Sequence, residues 1–90
     1  MRRALFLSPL ALAACALPEA VPDPALVARQ EAACTAAIAQ HVRRPESAVT
    51  ARFLSEAGGI ATVETLDGDR RHLCMVDAGG RVIDYRHPDA

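Results

Sequence analysis

The chain has 90 residues, a formal net charge of −1 at pH 7 and a 51% hydrophobic composition, with 3% aromatic residues and no tryptophan. That length leaves room for one small domain. A mildly acidic balance argues against nucleic acid or an anionic membrane surface as partner, and so few rings leave little for a base-stacking platform.

Met1-Arg2-Arg3 followed by an apolar run from Ala4 to Leu12 has the charged and hydrophobic segments of an export signal. The run is shorter than the roughly 20 apolar residues of a permanent transmembrane helix, and Pro9 interrupts it. Next comes Leu12-Ala13-Ala14-Cys15, which resembles the lipobox of bacterial lipoproteins. The resemblance implies that residues 1–14 are a lipoprotein signal peptide, that the Cys15 thiol carries the lipid, and that labelled palmitate should enter there. It also implies the periplasmic side of the bacterial envelope. Ala16 stands where an aspartate retains such proteins in the inner membrane, so the outer membrane is favoured. The other reading is an ordinary secretory signal cut at Ala11-Leu12-Ala13, leaving Cys15 a free thiol. Three cysteines favour the first, because acylating one leaves an even pair. Losing Arg2 and Arg3 with the signal leaves the exported chain more acidic by two charges.

Residues 15–23 carry Pro18 and Pro22 just ahead of Pro24 and read as an extended tether. At about 3 Å per residue, the tether keeps the domain within roughly 30 Å of the lipid. The domain itself is expected over residues 24–88. Asp23-Pro24 marks a helix start, an oxygen-bearing cap followed by a proline at the first helical position. Val27, Glu31, Cys34, Ile38 and Val42 recur at three- and four-residue steps and define the inward face, with Glu31 at its edge. Arg29, Gln30, Thr35 and Gln40 fall outside it and are expected in solvent. Pro45 disfavours helical backbone at Arg44 and ends the helix near Val42 or Arg43.

Beyond Pro45 the period changes. Strands are expected over residues 48–53, 60–66, 71–76 and 81–85, separated by Ala57-Gly58-Gly59, Asp67-Gly68-Asp69 and Asp77-Ala78-Gly79-Gly80. Three tight turns in succession imply an antiparallel meander. A helix followed by such a sheet predicts an α+β domain of two layers, with the helix covering one sheet face. Cys34 on the inward helix face and Cys74 on the third strand become neighbours, and in an oxidising compartment they are expected to form a disulfide. Two buried thiols and a redox site are the alternatives, but no Cys-x-x-Cys spacing supports the latter. Ala33-Cys34-Thr35-Ala36-Ala37-Ile38, Leu73-Cys74-Met75-Val76 and Gly80-Arg81-Val82 together resemble small exported bacterial domains built of a cysteine-bearing helix and a cysteine-bearing sheet. That resemblance implies a fold and no activity.

Candidate chemistry is sparse. His41, His72 and His87 match no metal-ligand spacing and read as solvated or edge residues. Ser47 and Ser55 lack a nucleophile context, and Asp67 and Asp69 flank Gly68 as a hairpin tip does. Arg43-Arg44 fits a helix C-terminus electrostatically. Arg70, Arg71, Arg81 and Arg86 fall on the last two strands, and alternation can place some of them on the face away from the helix, where guanidinium groups could hold carboxylates or phosphates. The expected function is therefore a membrane-anchored envelope lipoprotein with a non-catalytic binding or modulating domain. The membrane, through Cys15, and an envelope protein are its expected partners; no cofactor, metal or nucleic acid is expected. A structural role in envelope integrity is the alternative, ahead of a small metal-dependent enzyme.

Overall fold

A computed structural model describes residues 22–88. The signal peptide, Cys15 and all of the tether before Pro22 lie outside the described residues.

Helix α1 (Pro24–Val42) begins where its cap chemistry dictates: Asp23 accepts the Ala25 N–H at 3.0 Å, and Pro24 fills the first position. It ends in a left-handed turn at Arg43, φ 60°. The Arg44 N–H turns back to the Ala39 carbonyl at 2.9 Å, which satisfies one of the last free helix carbonyls. Glycine usually fills such a turn because a Cβ costs roughly 1–2 kcal/mol there.

A single 3-10 turn (Glu46–Ala48) leads into four strands, β1 (Thr50–Ala57), β2 (Ile60–Asp67), β3 (Arg70–Val76) and β4 (Val82–Arg86). They pair antiparallel in chain order, and α1 covers one face, giving the α+β meander. The first strand starts two residues later than periodicity indicates and runs four residues further, to the Gly58-Gly59 turn. Residues 46–48 close a turn of their own, with the Ala48 and Val49 N–H groups donating to Pro45 and Glu46. Both edge strands are irregular, with Leu54 an extra residue in β1 and Ile83 in β4.

Strict alternation places Ala61, Val63, Thr65 and Asp67 of β2, and His72, Cys74 and Val76 of β3, under the helix. Cys34, Ile38 and Ala39 meet them from above, with Val49 closing the core and Phe53 and Val82 at its margins. Cys34 and Cys74 form the disulfide, both fully buried, tying the middle of the helix to the central part of the sheet. A closed loop of this size contributes about 4 kcal/mol in the chain-entropy model, a large share of the stability of so small a domain.

Gln30 departs from its expected place in solvent. It is 2% exposed, and its Nε2 donates to the carbonyls of Asp77 at 3.0 Å and Val76 at 3.5 Å. Val76 ends β3 and Asp77 begins the turn, so the glutamine pins the β3–β4 turn to the first half of α1. The turn is closed internally by Asp77, whose Oδ1 accepts the N–H groups of Gly79 and Arg81. Gly80 has φ 84°, and a Cβ there would stand 2.8 Å from the Arg29 side chain, so this position needs glycine on both counts.

Candidate functional site

Inward alternation leaves the other sheet face without a covering layer among the described residues. Arg52, Glu64, Leu73 and Arg86 form one cross-strand row; Thr50, Leu66 and Arg71 form the next; Thr62, Met75 and Asp84 form a third. Leu66 and Met75 are 39% and 41% exposed, and Ile83 on the edge strand is 50% exposed. Through this apolar surface runs an ion-pair chain in which Glu64 accepts from Arg71 Nε at 2.6 Å and Arg52 Nη2 at 3.1 Å. The hydrogen bond from Arg71 is the main reason that the Glu64 carboxyl is held below its ordinary value of 4.5; partial burial opposes it and Arg52 adds to it. Three guanidinium groups against the carboxylates of Glu64 and Asp84 give the face a modest positive balance.

The four arginines singled out from the sequence therefore separate. Arg71 and Arg86 belong to the open face. Arg70 has the opposite parity and lies on the helix side, where its Nη2 donates to Asp67 at 3.0 Å. Arg81 stands ahead of β4, held in the turn by its backbone bonds to Asp77. Asp67 is more than a hairpin-tip residue: it is 7% exposed and also meets Arg44 at 3.4 Å, so Arg44 joins the helix end to the β2–β3 hairpin. Sequence reasoning set Glu64 among the arginines of this face as a solvated carboxylate and missed Arg52 and its pairing to Glu64. Their signal was available in the outward parity of both positions once Phe53 and Val63 are taken as inward.

At the C-terminal end of α1 the three histidines come together. The ring centroids of His41 and His72 lie 5.4 Å apart and those of His72 and His87 4.3 Å apart, both edge to face. Tyr85 packs against His41 at 5.0 Å, its hydroxyl 3.4 Å from Nδ1. His72 is 3% exposed, not solvated, while His41 and His87 remain open to solvent. Its Nδ1 has no hydrogen-bond partner among the described residues, nor has the Oγ1 of Thr65, its register neighbour on β2. Burial holds His72 below the ordinary 6.5, the charges of His87, His41 and Arg70 add to this, and Asp67 opposes it. The rings pack without converging their nitrogens: among the described residues no three His, Cys, Asp or Glu side chains are set to hold a metal ion.

A third feature is a hollow of about 260 Å³ at the other end of α1, lined by Leu26, Val27, Gln30, Phe53 and Ala78 with Glu56 at its rim. It presents mostly apolar surface and sets no nucleophile beside a base. Among the described residues no helix is long and apolar enough to cross a membrane. No protein-family model, no curated protein and no solved structure matches the chain.

Proposed function

We propose that the chain is a lipid-anchored envelope protein, held through Cys15 on the periplasmic side of the membrane, the outer membrane being favoured, and that its folded domain is a non-catalytic binding module. The open face of the sheet is its contact surface. One observation carries this reading: Leu66 and Met75 lie exposed beside the Arg52–Glu64–Arg71 chain on a face with no layer over it among the described residues. Apolar anchors flanked by guanidinium groups suit a protein surface that offers apolar side chains and an excess of carboxylates. Arg86 extends the positive rim. The lipobox-like Leu12-Ala13-Ala14-Cys15 supports the anchor.

The test is a photo-crosslinker placed at Met75 in cells, compared with the same group at Gln40 on the exposed side of α1. One identified protein captured from Met75, and lost when Arg71 and Arg86 are both changed to glutamine, is the expected result. Equal capture from both positions removes the open face as the contact surface. Palmitate incorporation that persists in Cys15→Ser removes the anchor.

A further inference from the structure

We propose that His41, His72 and His87 form an acid-sensitive clasp that holds β4 against the end of α1 near neutral pH and lets it open as the pH falls. The three rings come from three separate elements, the last turn of α1, the middle of the helix-facing side of β3, and the residue after β4. Their contacts at 5.4 and 4.3 Å, with Tyr85 tilted against His41, link the end of the last strand to the helix.

The device rests on the buried ring. A neutral imidazole offers one donor and one acceptor, whereas the charged form offers two donors and a positive charge. His72 Nδ1 has no hydrogen-bond partner among the described residues, so a proton placed there is not met by an acceptor in the arrangement seen. The charged and titratable groups that bear on the ring are His41 from the last turn of α1, Asp67 from β2, Arg70 from β3 and His87 just beyond β4, with Arg44 past the helix end reaching Asp67 and Tyr85 of β4 packed on His41. Asp67 is the carboxylate among them, and its two oxygens are already engaged by Arg44 and Arg70. Protonating His72 therefore places a charge in a poorly solvated site amid other cationic or protonatable groups.

Relief comes most easily at β4. That strand is the shortest of the four, pairs among the described residues on one side alone with β3, and is followed by the exposed His87. Parting it admits water to His72. Because the folded ring binds its proton less readily than a free one, the neutral ring is accommodated above about pH 6.5 and β4 loosens progressively below it.

Native-state amide exchange on the oxidised exported domain tests this, at about pH 7.5 and about pH 5.5, with rates corrected for intrinsic exchange. Protection of the β4 amides is expected to fall relative to β2 on acidification, by at most roughly tenfold, the change one unit of pH can drive through one group. His72→Phe, which keeps a buried ring and removes the titration, is expected to abolish that difference. An unchanged β4-to-β2 ratio in the wild type, or full pH dependence retained in a folded His72→Phe, overturns the proposal. A readout that needs no variant is the ring-proton resonance of His72. Its midpoint should coincide with that of the amide shifts across Val82–Arg86, and distinct midpoints overturn the clasp.

Discussion

Two buried polar side chains lie beneath opposite ends of the same helix, and their circumstances differ. Gln30, at the N-terminal end, spends its amide protons on two carbonyls that close β3 and is uncharged at any pH a cell meets. His72, at the C-terminal end, has a ring nitrogen with no partner among the described residues and stands beside other protonatable groups. A satisfied neutral group behaves as a fixed strut. An unsatisfied titratable one makes its end of the domain responsive to the medium, and the Cys34–Cys74 bond between them keeps the two ends in one body.

Breaking that bond should produce the largest effect. Reduction, or Cys34→Ser with Cys74→Ser, is expected to cost about 4 kcal/mol, enough to lower the melting temperature by more than about 15 °C in a domain of this size. A change of only a few degrees would mean that packing alone joins the ends. Gln30→Ala should follow, losing about 2–3 kcal/mol through the cavity and the abandoned carbonyls. This loss should be the same at about pH 8 and about pH 6, since the amide and the two carbonyls it binds do not titrate; thermal melts at both settle it. At the other end, Asp67→Asn should cost no more than about 1 kcal/mol near neutral pH, because its arginine partners are exposed. It should nevertheless steepen the loss of stability below pH 6.5, because the Asp67 charge favours the protonated His72. Equal slopes in variant and wild type would detach Asp67 from the cluster. Smallest of all, Arg43→Gly should add about 0.5–1 kcal/mol by relieving the left-handed turn, measured by denaturant midpoint.

Acid should act on the two sheet faces in separate windows. Glu64, held low by Arg71, contributes its full ion-pair stabilisation above the ordinary carboxylate value of 4.5 and loses it as the pH drops through its lower folded value. The histidine side responds first, below 6.5, so the covered face yields to acid before the open one.

The architecture was legible in local chemistry. Asp23-Pro24 marks the helix start because a side-chain cap and a missing N–H are properties of single residues. The cysteine pair followed from two inward positions and a compartment, and each glycine-bearing turn announced a reversal of the chain. Placement across the layers was less legible. Gln30 sits one residue from Glu31 at the edge of the apolar stripe, and whether its amide reaches a carbonyl depends on where the β3–β4 turn comes to rest. The histidine cluster needed two facts absent from local patterning, the position of the helix end over β3 and a register in β4 shifted by the extra residue Ile83. Arg70 and Arg71 show the middle case: adjacency puts them on opposite faces, and the inward parity of Cys74 decides which one faces out.

Leu54 and Ile83, the extra residues in β1 and β4, have a consequence beyond the single molecule. A sheet bounded by two straight margins invites a neighbour's strand to zip alongside, and the next copy after it. Here each margin carries a kink that breaks the spacing such growth requires. Many copies can therefore be crowded together without their sheets fusing into a continuous ribbon.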